Sequence, residues 1–116
     1  MGMANLGLAL IATSVGSACT YLAYGTGTTA FSASQTTLVT ETSRAAATVT
    51  STTTNVSNDT TQLVKAFSIT STLTIAEVGA FTASSGGTML CRTKLSTTRD
   101  VTSGSTFTYT QKVVFS

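Results

Sequence analysis

Hydrophobic and polar positions alternate clearly in the last part of the chain. From residue 106 onward, large side chains occupy every second position, and threonine, lysine and valine occupy the positions between them. A period of two is the pattern of a β-strand with one buried and one solvated face. We predict that the buried face carries Phe107, Tyr109, Gln111, Val113 and Phe115.

Earlier segments have the β-branched and aromatic composition of strands, with turn-forming residues between them. In one of them we expect Leu63, Phe67 and Ile69 to point inward and Lys65 to lie at an end or edge. In another, Gly79 marks an expected bulge or bend. The predicted strands are 19–24, 45–54, 62–69, 73–81 and 88–95, with turns at 57–59 and 84–87.

These elements predict the fold class. Helical periodicity is absent beyond about residue 14, apart from a turn around residues 36–42. Without a helix long enough for a crossover, a parallel sheet is excluded. We therefore predict an all-β fold of six to eight strands, a single antiparallel β-sandwich or jelly roll. Residues 19–116 would form this domain, and residues 1–18 would form an N-terminal arm or short helix.

The N-terminal segment superficially resembles a secretion signal, because an apolar run over residues 6–12 precedes small residues up to Cys19. However, the first 43 residues contain no lysine or arginine, whereas a signal peptide begins with a positive region. The run is also shorter than the roughly 20 residues of a membrane span. We expect an apolar helix or arm that docks onto the domain or onto a neighbour.

Composition excludes several functions. Charged residues make up 9% of the 116 residues, against about 25% in average soluble domains, while 28 threonines and 15 serines supply the polarity. Without histidine and with two cysteines, histidine catalysis and the usual zinc clusters are excluded. A net charge of +2 is too small for phosphate tracking. We therefore expect no catalytic, cofactor-binding or metal-binding residues and no nucleic-acid, membrane or small-molecule partner.

The acidic residues are few and widely spaced: Glu41, Asp59, Glu77 and Asp100. Nothing in the sequence brings two of them together as a glycosidase pair. Glu77 is notable because apolar residues surround it in the sequence. A buried carboxylate is costly unless it has partners, so we expect Glu77 to hold a loop through backbone N–H groups or to pair with an arginine such as Arg92.

Three other groups of residues have structural interpretations. The glycines of residues 25–29 lack the lysine and the spacing of a phosphate loop, so a turn is expected there. Arg92, Lys94 and Arg99 are the one basic concentration, either a solvated face or a contact for an acidic partner. Cys19 and Cys91 match no metal or redox motif. They could pair across the domain, but two cysteines fall short of a disulfide framework, and we favour free, buried thiols.

The low charge also bears on association. A surface with so few charges has little electrostatic protection against self-association. Either the hydroxyl groups alone keep the chain soluble, or neighbouring subunits cover much of its surface, and we favour the second.

Several phrases of the sequence resemble small structural proteins of tailed bacteriophages. Residues 75–92 are similar to their pattern I-T-E-x-G-L-F-x-A-x-x-G-G-x-M-L-A-R, and residues 24–44 to their G-T-G-T-T-A followed by T-A-L-x-x-E and an arginine. Residues 101–115 resemble their closing section, an alternating aromatic strand that ends V-x-F. Cys91 replaces a usual alanine, and Phe31 replaces a frequent proline, which makes that loop less rigid.

The resemblance implies a virion protein without enzymatic activity or cofactor, made in the host cytoplasm. The first expectation is a capsid decoration, or cement, protein on the outer capsid surface, which binds and stabilises the major capsid protein lattice as a homodimer or homotrimer. The alternative is a tail- or head-fibre component that oligomerises on a virion appendage. A secreted adhesin or carbohydrate-binding module is a third class, disfavoured because no tryptophan is present to stack on sugars.

Overall fold

Two antiparallel sheets and one helix make up residues 5–55 and 57–115, the part of the chain described by the computed structural model. Residues 1–4 of the expected arm, and residues 56 and 116 of the expected domain, lie outside the described residues. In chain order the elements are α1 (Asn5–Ala18), β1 (Tyr21–Gly25), β2 (Glu41–Ala46), β3 (Thr48–Thr52), β4 (Thr60–Ser68), β5 (Leu73–Phe81), β6 (Met89–Val101) and β7 (Thr106–Val114).

The strands form a four-stranded sheet in the order β2-β1-β5-β6 and a three-stranded sheet in the order β3-β4-β7. All paired strands are antiparallel. Only Ala47 separates β2 from β3, so the chain passes from one sheet to the other at this residue. The predicted all-β antiparallel sandwich with a short N-terminal helix is confirmed.

The core lies between the facing sides of the two sheets. Phe67 and Phe107 are opposite each other on β4 and β7, and the Tyr24 ring meets both edge-on, at centroid distances of 4.8 Å and 5.6 Å. Leu63, Phe67, Ile69, Phe107 and Tyr109 are buried, as predicted, whereas Gln111, Val113 and Phe115, also predicted for the buried face, are only half-buried.

Lys65 was expected at an end or edge, but it lies in the middle of β4, opposite Tyr109. β3 pairs with β4 only as far as Val64, which is opposite Thr48 and one residue before Lys65. The half-buried Lys65 therefore lies where β4 loses its neighbour on one side.

Two local predictions are wrong. Residues 36–42 form no helical turn, because the backbone N–H groups of Val39 and Thr40 donate to the Glu77 carboxylate and residues 41 and 42 belong to β2. The irregularities of the β5–β6 pairing lie on either side of Gly79, not at it. Gly79 is required for close packing, since an added Cβ would lie 2.9 Å from both the Cys91 carbonyl oxygen and Leu38 Cδ2.

α1 packs against β3 and β4. Leu8 and Ala12 are buried, and the Thr61 hydroxyl on β4 donates to the Ala12 carbonyl. Gly16 lets the helix approach Val49, whose Cγ1 would lie 3.0 Å from an added Cβ. Within residues 5–55 and 57–115, no helix is both long and apolar enough to cross a membrane.

Candidate functional site

A long loop between β1 and β2, residues 26–40, lies over the outer face of the four-stranded sheet, and we call it the covering loop. Leu38 of this loop is buried against Ala23 and Phe81, which point away from the main core. A second, smaller apolar cluster therefore lies outside the sandwich. The charged groups that hold the loop lie beside this cluster.

Glu77 on β5 is fully buried beneath the covering loop. Its Oε1 accepts from the Val39 N–H at 2.8 Å, and its Oε2 accepts from the N–H groups of Thr40 at 2.7 Å and Gly27 at 2.9 Å. The predicted role of Glu77, a carboxylate that holds a loop through backbone donors, is confirmed. Both ends of the loop meet at this one side chain.

Arg92 on β6 completes the arrangement. Its Nε donates to Glu77 Oε1 at 2.9 Å, and both side chains of this ion pair are inaccessible to solvent. One terminal nitrogen donates to the Thr29 carbonyl at 2.8 Å, and the other reaches Gln35 Oε1 at 3.4 Å. Arg92 thus holds the middle of the covering loop while Glu77 holds its ends.

These contacts determine the protonation state of Glu77. Burial acts to raise the pKa of the carboxyl, but the N–H groups of Thr40, Val39 and Gly27 together with Arg92 outweigh it, and the pKa lies below its ordinary value. A carboxylate that is ionised and accepts four hydrogen bonds has no free position for a substrate proton. Glu77 therefore has a structural role and is unsuited to acid-base catalysis.

Two glycines make room for this carboxylate. A Cβ on Gly27 would overlap Glu77 Oε2 and lie 2.6 Å from Val39 Cβ, and one on Gly25 would lie 2.8 Å from Glu77 Oε2 and overlap the Thr40 carbonyl oxygen. The turn predicted for residues 25–29 is therefore a loop in which the Gly27 amide binds the chain's own carboxylate rather than a phosphate.

Arg44 on β2 holds a second loop. It pairs with Glu41 at 2.7 Å, and its Nη1 donates to the carbonyls of Ala83 and Gly86 in the β5–β6 hairpin at 3.0 Å and 2.9 Å. Its Cζ lies 3.6 Å from the centre of the buried Phe81 ring. Sequence reasoning missed this role, because two of the partners are backbone carbonyls that carry no sequence signal.

The remaining acids have separate partners. Asp59 is buried and accepts from the N–H groups of Thr54 and Asn55 at 2.9 Å and 3.0 Å, closing the turn in which Asn58 has a φ of 59°. Asp100 accepts from the Thr74 hydroxyl at 2.8 Å. In the described part of the chain, no group of three His, Cys, Asp or Glu residues is placed to hold a metal ion.

The basic concentration predicted from the sequence is divided by the fold. Arg92 is buried in the ion pair, whereas Lys94 and Arg99 are exposed on β6 on either side of a register shift. Cys19 and Cys91 are free thiols, as predicted, although Cys91 is only half-buried. Burial raises the pKa of both thiols, so they are protonated and pack as small apolar groups.

A polar surface with no candidate catalytic residue covers the outer side of the three-stranded sheet. Residues opposite each other in the register share this face, which we call the threonine face. Its exposed members are Thr48, Thr50, Ala66, Ser68, Thr106, Thr108, Thr110, Lys112 and Val114. Because only one of these nine side chains is charged, the threonine face has little electrostatic protection against association and is a candidate contact surface.

In this chain, buried ionic groups therefore hold loops onto an antiparallel β-sandwich. The chain belongs to the family described as Podophage GP4 fiber I protein gp80, whose model matches residues 8–114. The resemblance to small structural proteins of tailed phages is thereby confirmed, and the chain is a member of a virion protein family. Among curated proteins, none matches the chain.

Proposed function

We propose that the chain is a structural subunit of a virion fibre and associates with further copies of itself. The observation that carries this proposal is the family match over residues 8–114, because the description of that family names a fibre protein. Of the two positions expected from the sequence, this match favours the appendage over capsid decoration.

The structure supplies physical support for a subunit role. Of its four acids, Glu77 and Asp59 are buried with partners and Glu41 is paired with Arg44, which leaves the surface poor in charge. The threonine face presents short hydroxyl side chains, which lose little conformational entropy when another surface covers them. Contacts repeated between many copies add up to strong attachment even when each is weak.

Quantitative mass spectrometry of purified virions tests the proposal. We expect a copy number that is a small multiple of that of the tail proteins, and labelling with an antibody against the chain at an appendage in electron micrographs. A copy number close to that of the major capsid protein, with label over the whole shell, would instead support capsid decoration with the major capsid protein as partner. Absence from purified particles would contradict both positions.

A further inference from the structure

β7 is a long and regular sheet edge. It pairs with β4 from Thr106 to Val114 in nine consecutive pairs without a register shift. No described strand lies along its other side. Such an edge offers a row of backbone N–H and C=O groups to another chain, and natural proteins usually obstruct it.

The other three edges are shorter or less regular. β6 is interrupted by two register shifts. At one of them, residues 95–98 of β6 lie between Lys94, which pairs with Glu77, and Arg99, which pairs with Ile75. β2 is six residues long and carries the ion pair between Glu41 and Arg44. β3 is five residues long and has α1 packed against it. The contrast singles out β7 as the longest regular edge, in which the Lys112 carbonyl already accepts a hydrogen bond from the Gln111 side chain.

The space beside β7 is suited to a further strand. A cleft of about 390 Å³ separates β7 from β6, and Val78, Leu95, Phe107 and Tyr109 contribute its apolar lining. Phe107 and Tyr109 belong to the main core and are already buried, whereas Leu95 is only half-buried, so Leu95 is the apolar side chain that this cleft leaves accessible. A strand added to the β7 edge would cover it with its own inward side chains.

The charge pattern of β7 favours a second copy as this strand. Lys112 is the one charged residue of β7. In a two-fold pairing, residue i of one copy faces residue j of the other, and j faces i. When the pairing is antiparallel and centred on Thr110, Lys112 faces residue 108 of the second copy, a threonine. No like charges oppose each other on the two strands. The inward-facing side chains of one β7 strand lie opposite the inward-facing side chains of the other.

We propose that two copies associate through antiparallel pairing of their β7 strands. The pairing would join two three-stranded sheets into one sheet of six strands and bring together the two β6–β7 clefts, whose lining includes Arg99 as well as the apolar side chains. This inference rests on the self-association in the proposed function and identifies the surface responsible for it.

A pair of double variants tests the interface by analytical ultracentrifugation of the purified full chain. Thr108→Lys with Thr110→Lys places lysines opposite each other and opposite Lys112 of the second copy, and we expect the dimer dissociation constant to rise at least about tenfold. Thr48→Lys with Thr50→Lys is the matched control: it adds the same charge at exposed threonines of the same face, on β3. We expect this control to dimerise like the wild type.

Other outcomes overturn the inference. If both double variants weaken the dimer equally, the threonine face is the interface, and if neither does, β7 is not involved. A wild-type chain that is monomeric at all concentrations also overturns it, together with the proposed self-association, while the copy number in virions decides the proposed fibre position independently. Circular dichroism verifies folding of the variants. If the β7 variant is unfolded, hydrogen exchange of the wild type decides, since β7 amides alone among edge strands should gain protection with concentration.

Discussion

At the scale of single residues, Glu77 explains how a loop without strand partners stays on the sheet. The covering loop carries N–H groups that need acceptors once they leave water. The carboxylate supplies acceptors for three of them, and Arg92 neutralises its charge. An apolar side chain at position 77 would leave those donors unpaired, so the ionic group is required by the backbone around it.

Glu77→Gln should lower the free energy of unfolding by about 3–5 kcal/mol, because it leaves Arg92 buried without its charge partner. Urea denaturation measures the change. Asp100→Asn is the matched control, since Asp100 is exposed and accepts from the neutral Thr74 hydroxyl, and its loss of charge should cost less than about 0.5 kcal/mol. Equal losses in the two variants would contradict a special role for Glu77.

The lowered pKa of Glu77 also predicts a pH dependence. Because the folded pKa lies below the ordinary carboxyl value of about 4.3, the unfolded chain binds the proton first as the pH falls. The stabilisation is therefore complete above that value and declines as the pH falls toward the folded pKa. In urea titrations from about pH 6 to about pH 3, the stability difference between wild type and Glu77→Gln should shrink. A difference that stays constant or grows would refute this.

The sequence could predict one of these loop contacts but not the other. Glu77 lies between apolar residues, so its burial and its need for partners follow from its neighbours in the chain. Arg44 lies among small residues, and its contacts with Ala83, Gly86 and Phe81 come from another strand and its hairpin. Such contacts depend on how β2 and β5 are placed, which local sequence does not specify.

At the scale of elements, alternation predicted the faces of β4 and β7 correctly but not the details of β5. Ile75 and Val78 both belong to the core cluster although they are three residues apart, because the β5–β6 register shifts between Ile75 and Glu77. A bulge changes which face later residues occupy. It is this shift that directs Glu77 to the outer face, beneath the covering loop.

The aromatic cluster of the core should be sensitive to truncation. Phe67→Ala and Phe107→Ala should each cost about 3–5 kcal/mol, because each removes a buried ring that contacts Tyr24. Phe31→Ala is the control, since 56% of that side chain is exposed, and its effect should stay within about 0.5 kcal/mol. Thermal unfolding compares the three variants, and an unchanged melting temperature in either core variant would contradict the assignment.

Two leucines of α1 give a matched test of how the helix docks. Leu8 is 6% exposed and Leu10 is 68% exposed. Leu8→Ala should therefore cost about 2 kcal/mol or more, whereas Leu10→Ala should be nearly neutral, since alanine favours helix and no packing is lost. Chemical denaturation measures both. Similar effects at the two positions would mean that the helix does not dock through the Leu8 side.

At the scale of the whole molecule, the cleft between β6 and β7 and the charge-poor surface both favour association of copies. An isolated sandwich leaves Leu95, in this cleft, only half-buried. Association of copies would cover it, and the low charge removes the repulsion that usually keeps such surfaces apart. Both features fit the proposed role of a fibre subunit.

The proposed self-association should respond little to salt. Between about 0.1 M and about 1 M salt the screening length falls from about 10 Å to about 3 Å, and we expect the wild-type dissociation constant to change less than about threefold. The variant with lysines at residues 108 and 110 should associate more tightly as salt rises, because its repulsion is screened. Sedimentation at several salt concentrations measures both. Strong weakening of the wild-type dimer by salt would indicate an ionic interface instead.

The sequence by itself determined the class of fold, the inward faces of β4 and β7, and the need of a buried Glu77 for hydrogen-bond or charge partners. These properties follow from alternation and from the apolar neighbours of a charged residue, which are features of adjacent positions in the chain. The tertiary structure alone decided which donors reach Glu77, since they are 37, 38 and 50 residues away along the chain. It also decided which edge remains open. That choice depends on the order of strands in each sheet, and strand order follows from packing between distant segments.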